Sequence, residues 1–166
     1  MNSTLTINII RFVTLIILQI LICNQLNFLG SLNPFVYVLF IILYPIGSNR
    51  MNFIFISFLI GLIIDLFLDT GGVHAAATVC IAYARPLILK FSFGAAYEYQ
   101  AIKMNESEVS QRLIYFIIII LLHHIILFML LYFNLNSISI IIYKILAVSI
   151  FTFIVTVLLN TIFSKN

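Results

Sequence analysis

Long apolar runs, separated by short polar stretches, make up almost the whole chain. The runs are continuous and lack the period-2 alternation of a membrane β-barrel. A helix needs about 20 largely apolar residues to cross a bilayer. The predicted fold class is therefore all-α, a polytopic membrane helix bundle forming one integral membrane domain. Its six predicted transmembrane helices are about 7–28, 34–47, 52–69, 72–93, 112–133 and 138–163.

The second of these segments is the shortest and is flanked by prolines. Pro34 suits a helix start, whereas Pro45 would kink or end the helix near Leu43 or Tyr44. The alternative to a full crossing is a short, tilted or re-entrant element. In that case five crossings remain and the termini lie on opposite sides.

Composition excludes a soluble domain and disfavours a nucleic-acid partner. Hydrophobic residues make up 64% of the chain and charged residues only 8%, whereas a soluble domain carries about 25% charged residues. The net charge of +3 comes from isolated basic residues. These form no basic stripe with interleaved aromatic residues, so we expect a lipid bilayer as the environment and no nucleic-acid binding.

The positions of lysine and arginine predict the orientation. With six crossings and both termini in the cytoplasm, the inner side holds Arg11, Arg50, Lys90, Lys103, Arg112 and Lys165. The outer connections, 29–33, 70–71 and 134–137, hold no basic residue. Positive residues are retained on the cytoplasmic side, so the asymmetry favours this orientation. The polar stretch 94–111 then lies in the cytoplasm and is too short to be an enzyme domain.

Two ionisable residues are predicted at similar depth near the outer ends of their helices. Asp65 lies about one turn from the end of the third helix, with Asp69 at i+4 on the same face. Lys144 lies about six residues into the sixth helix. One hypothesis is a buried Asp65–Lys144 ion pair that joins the two helices. In the alternative, Lys144 snorkels outward and Asp65 caps a neighbouring backbone.

Other polar residues lie inside the predicted helices. Arg85 precedes Pro86, which frees a carbonyl near Ala82. Arg85 either satisfies that carbonyl or extends to lipid phosphate, and we expect it to snorkel. His123 and His124 lie near mid-membrane, where we expect a hydrogen-bonded packing role rather than a proton relay or a metal site.

A stripe of small residues runs along the fourth helix: Gly71, Ala75, Thr78 and Ala82. Small residues let helices approach closely and gain packing contacts, which drive helix association in lipid. Gly61 adds a close-approach point on the third helix. The pattern indicates a tight bundle or a partner interface. No catalytic residues, metal ligands or cofactor motif are predicted, so the chain is not expected to be an enzyme.

The stretch Gly61-Leu62-Ile63-Ile64-Asp65-Leu66, followed by Gly72-Val73-His74-Ala75-Ala76, resembles the signature of the rod shape-determining protein MreD family. Chain length and helix count match as well. Asp69, His74 and the Arg85–Pro86 pair depart from the family pattern. The resemblance implies structural roles for Gly61, Asp65, Gly72 and Ala75, and a fold similar to the vitamin-binding membrane subunit of energy-coupling-factor transporters.

The resemblance also implies a non-enzymatic role in the bacterial inner membrane. The expected function is a scaffold of the cell-elongation machinery that binds MreC and helps organise lateral-wall peptidoglycan synthesis. Its wider partners would be MreB and the peptidoglycan synthases. The alternative is a substrate-binding subunit of a small-molecule transporter, with an outward-facing cavity lined by Asp65, Asp69, His74 and Lys144. An intramembrane hydrolase lacks a nucleophile–base set.

Overall fold

Residues 3–26, 32–94, 97, 107–133 and 138–163 are described by a computed structural model, and they form six α-helices. These are α1 (Ser3–Leu21), α2 (Val38–Leu43), α3 (Arg50–Leu68), α4 (Val73–Phe93), α5 (Val109–Tyr132) and α6 (Ile138–Phe163). All except α2 are long and apolar enough to cross a membrane. The polytopic helical bundle is therefore confirmed. The predicted connections 134–137 and most of 29–33, with Lys103 and Lys165, lie outside the described residues.

Neighbouring long helices run antiparallel where contacts define their direction. Arg50, the first residue of α3, donates to the carbonyl of Tyr83 at the midpoint of α4. Asp65, near the end of α3, bonds the N–H groups of His74 and Ala75 at the start of α4. Arg85 of α4 in turn bonds Tyr115, near the start of α5. We name the two ends of the bundle the Arg50 end and the Asp69 end, after residues at the two termini of α3.

α1 and α6 also run between these two ends of the bundle. A cavity beside the start of α3 is also lined by Leu5 and Asn8, so α1 begins at the Arg50 end. A second cavity is lined by Arg112 from the first turn of α5 and by Asn160 from the last turn of α6. The described chain therefore begins and ends at the Arg50 end.

The stretch 32–49 between α1 and α3, which we call the second passage, contains α2 and the non-helical residues on either side of it. It does not form the predicted spanning helix 34–47. Only Val38–Leu43 is helical, and five of its six residues are buried. The passage nevertheless runs antiparallel to α1: the N–H of Val36 bonds Gln19, and the Phe40 and Phe12 ring centroids lie 5.6 Å apart. It therefore returns the chain to the Arg50 end. Six passages remain, five of them made by long helices.

The α3–α4 turn depends on backbone conformations that favour glycine. Asp69 ends α3 in the left-handed region at φ +53°, followed by Gly71 at +65° and Gly72 at +96°. Asp69 is exposed. The prediction that the two carboxyls share a face is wrong for their side chains, because Asp65 is buried whereas Asp69 is exposed. The N–H of Asp69 still donates to the carbonyl of Asp65, but the left-handed φ of Asp69 turns the chain out of the helix. Gly71 is likewise exposed in the turn and not part of the α4 stripe.

Candidate functional site: two buried polar clusters

The first cluster is centred on the carboxylate of Asp65, which is only 4% exposed. Its two oxygens accept from the backbone N–H groups of His74, at 3.0 Å, and Ala75, at 2.8 Å. The Thr70 hydroxyl and His74 Nδ1 donate to the same carboxylate. The first N–H groups of a helix have no intrahelical acceptor. Because the N-cap of α4 is Gly72, which has no side chain, Asp65 supplies the missing cap from α3.

The predicted ion pair between Asp65 and Lys144 is wrong. Asp65 is bonded by the turn that follows it, and the Lys144 ammonium lies 5.5 Å from the ring centroid of Tyr132. Tyr132 ends α5 at the Asp69 end of the bundle. The alternative, in which Asp65 caps a neighbouring backbone, is confirmed.

This geometry predicts a small effect for Lys144→Gln. A partly exposed cation–π contact contributes about 0.5–1 kcal/mol, so the free energy of unfolding in detergent should fall by no more than that. The double reversal Asp65→Lys with Lys144→Asp should recover none of the loss caused by Asp65→Lys alone. Recovery of half or more would show that the two side chains do interact.

The two helices of this hairpin touch at Gly61. A Cβ there would lie closer than 3.0 Å to Cα and N of Ala75 and to the carbonyl oxygen of His74. Ala75, Thr78 and Ala82 are all buried on α4. The small-residue stripe, without Gly71, therefore belongs to the tight bundle.

Gly61→Ala should destabilise the protein by about 1–3 kcal/mol, the typical cost of an overpacked core. The clash is with backbone atoms, so adding Ala75→Gly should not restore stability. The measurement is unfolding by a denaturing detergent, followed by far-ultraviolet circular dichroism. Ala76→Ser, at an exposed position of the same turn of α4, is the control and should change little. Rescue by Ala75→Gly would contradict the assigned contact.

The second cluster surrounds the irregular second passage. At the Asp69 end, the passage has backbone groups outside the helix, and buried side chains bond them. Gln19 is fully buried; its side chain accepts from the N–H of Val36 at 2.8 Å and donates to the carbonyl of Pro34 at 3.1 Å. The N–H of Phe35 donates to the Thr152 hydroxyl at 3.0 Å. Non-helical backbone is tolerated at membrane depth only where protein surrounds and satisfies it.

At the other end of α2, Arg85 performs the same role. Its Nη2 donates to the carbonyls of Ile42, at 3.2 Å, and Tyr44, at 2.5 Å. Its Nε donates to the Tyr115 hydroxyl at 2.7 Å, which itself donates to Ile42. Arg85 is 4% exposed, so the expected snorkelling is wrong. It bonds carbonyls freed by the end of α2 rather than the one freed by Pro86.

The paired histidines lie between these two ends. His123 and His124 are fully buried. Nε2 of His123 lies 3.0 Å from the Tyr37 hydroxyl, and Nδ1 of His124 donates to the carbonyl of Ile120 at 2.7 Å. His124 Nε2 lies 3.4 Å from the Thr152 hydroxyl. These bonds support the expected packing role and link the histidines to the second passage.

Neither cluster has the make-up of a metal centre or of the cavity expected for a transporter subunit. Within the described ranges, no three His, Cys, Asp or Glu side chains are placed to hold a metal ion. Asp65 and His74 are buried in the hairpin, whereas Asp69 is exposed and Lys144 lies against Tyr132. Asp69 and Lys144 therefore do not belong to the hydrogen-bonded cluster of Asp65 and His74, so these contacts do not support the lining expected for the transporter alternative.

Sequence reasoning missed four members of the second cluster: Gln19, Tyr37, Tyr115 and Thr152. Gln19 was detectable, because an amide inside an apolar run needs a bonding partner. Tyrosine and threonine are common enough in membrane helices to give no such signal. No family model, no curated protein and no solved structure matches the chain.

Proposed function

We propose that this chain is a non-enzymatic membrane scaffold of the MreD type, which binds MreC and helps organise lateral-wall peptidoglycan synthesis. The observation that supports the proposal is the hairpin around Asp65. The four residues of the resemblance, Gly61, Asp65, Gly72 and Ala75, form one structural unit: a close approach, a capping acid, a turn glycine and a capped N–H. In this chain, these four residues hold α3 and α4 together as a rigid pair.

The proposed location is the bacterial inner membrane, with the Arg50 end in the cytoplasm. At that end Arg50 begins α3, Arg112 lies in the first turn of α5, and Lys90 lies in the last turn of α4. The positive-inside rule favours the cytoplasm for this end. Because the described chain begins and ends there, both termini are proposed to be cytoplasmic.

Affinity purification in mild detergent tests the proposal. The tagged chain should retain co-expressed MreC, including a version of MreC cut down to its transmembrane helix. Asp65→Ala should lower the retained amount if a rigid hairpin is needed, whereas Asp69→Asn should retain as much as the unsubstituted protein. Recovery of the folded chain without MreC would contradict the proposal.

The same purification separates the scaffold from a transporter subunit. A transporter subunit should carry a tightly held small molecule and an ATPase module. A scaffold should carry neither, and loss of its gene should give round or widened cells with normal uptake of small nutrients. Defective uptake in cells of normal shape would favour the transporter subunit.

A further inference from the structure

The cavity beside Arg85 is lined by two arginines, which the proposed scaffold function does not require. It measures about 300 Å³ and opens at the Arg50 end. Two arginines, Arg50 and Arg85, line it, together with Pro86 and the Gly47–Ser48 turn. Its apolar wall includes Phe53, whose ring centroid lies 5.0 Å from the Arg85 guanidinium carbon.

Arg85 brings a buried positive charge to this cavity. Its bonds to Ile42, Tyr44 and Tyr115 use Nε and Nη2 and go to neutral oxygens. In the part of the chain that the structure describes, the ion pair found is that of Asp65 with His74. A buried guanidinium without a carboxylate is costly unless an anion accompanies it.

The cavity lies at the Arg50 end of the bundle, beside the residue where α3 begins. Arg50 begins α3 at this level and is exposed, and it bonds the carbonyl of Tyr83, two residues before Arg85. An anion entering at this end would therefore meet an exposed arginine at the rim and a buried one inside. The bonds to Tyr115, Ile42 and Tyr44 occupy Nε and Nη2 of Arg85, so Arg85 would meet the anion through Nη1. Arg50 can pair with phosphate oxygens through two parallel N–H donors, which favours phosphate over chloride.

We propose that this cavity binds a phosphate-bearing anion between Arg50 and Arg85. Two sources offer this chemistry: the headgroup of an anionic phospholipid, and a free phosphate or phosphate ester from the aqueous side. The site lies on α3 and α4 at the end opposite the Asp65 turn, and Gly61, Asp65, Gly72 and Ala75, which support the scaffold proposal, do not line it.

Native mass spectrometry of the full chain in detergent tests the lipid source. The protein should bind phosphatidylglycerol about fivefold or more tightly than phosphatidylcholine, as expected for one added cationic contact at a membrane surface. Arg50→Gln should remove this preference. The matched control is Arg112→Gln, the same charge change at the same end but on a different cavity; it should keep the preference.

A thermal-unfolding arm with inorganic phosphate tests the free source. A rise in melting temperature in phosphate relative to chloride at equal ionic strength, abolished by Arg50→Gln and kept by Arg112→Gln, would assign the site to a soluble ligand. The proposal is overturned if neither arm responds or if both arginine variants behave alike.

Discussion

Asp65→Ala should lower the free energy of unfolding by about 3–5 kcal/mol, the largest effect expected of any single substitution here. The carboxylate accepts from two backbone N–H groups, a hydroxyl and an imidazole. Removing one partner of a buried charged network leaves the other groups desolvated and unbonded. In lipid, no water is present to accept a hydrogen bond from the freed N–H groups of His74 and Ala75.

Unfolding in detergent, monitored by circular dichroism, measures this loss. Asp65→Asn should lose less than Asp65→Ala, because the amide keeps one acceptor oxygen for the start of α4. The control Asp69→Asn changes an exposed carboxyl four residues later and should stay within about 0.5 kcal/mol of the unsubstituted protein. Equal losses at the two positions would show that burial of Asp65 is not the source of the effect.

Arg85→Met should cost about 2–4 kcal/mol and should loosen the second passage. Methionine has a similar length and no donors, so the carbonyls of Ile42 and Tyr44 lose their bonds. Each unsatisfied buried group costs about 1–3 kcal/mol. Amide hydrogen exchange should therefore quicken in the peptides that contain α2 more than in those from α3.

Two variants separate this role from simple loss of charge. Arg85→Lys keeps the charge but lacks the forked donor geometry that reaches two carbonyls and a hydroxyl together, so it should recover only part of the stability. Arg50→Gln removes an exposed charge at the same end and should change stability by less than 1 kcal/mol. Full recovery with lysine would contradict the proposed bonding.

The fold was largely predictable because length and hydropathy carry most of the information in a membrane helix. Four of the five long helices begin and end close to the predicted bounds. The first helix was predicted over about 7–28, but α1 runs from Ser3 to Leu21 and a 3-10 turn follows at Cys23–Gln25. The exception is the second passage. Proline positions predicted its irregularity, but nothing local indicated that the chain would still cross as a short buried helix with non-helical ends.

The polar residues were found in sequence, but their partners were not. Asp65 stood out as a buried acid, yet depth alone paired it with Lys144. The real partners, Thr70, His74 and Ala75, depend on where α3 ends and on the glycine turn that brings the start of α4 back to the carboxylate. Arg85 shows the same limit: its two carbonyl acceptors are 41 and 43 residues earlier in the chain, its hydroxyl acceptor is 30 residues later, and no spacing rule predicts these partners.

The six-passage topology depends most on whether the second passage crosses the bundle. Single cysteines at Ser48, at Asp69 and at Ser110, in a chain with Cys23 and Cys80 replaced, can be labelled in intact cells and in inverted vesicles by a membrane-impermeant maleimide. We expect Ser48 and Ser110 to react from one side of the membrane and Asp69 from the other. Reaction of Ser48 from the same side as Asp69 would mean that the chain turns back before crossing, and would contradict the account.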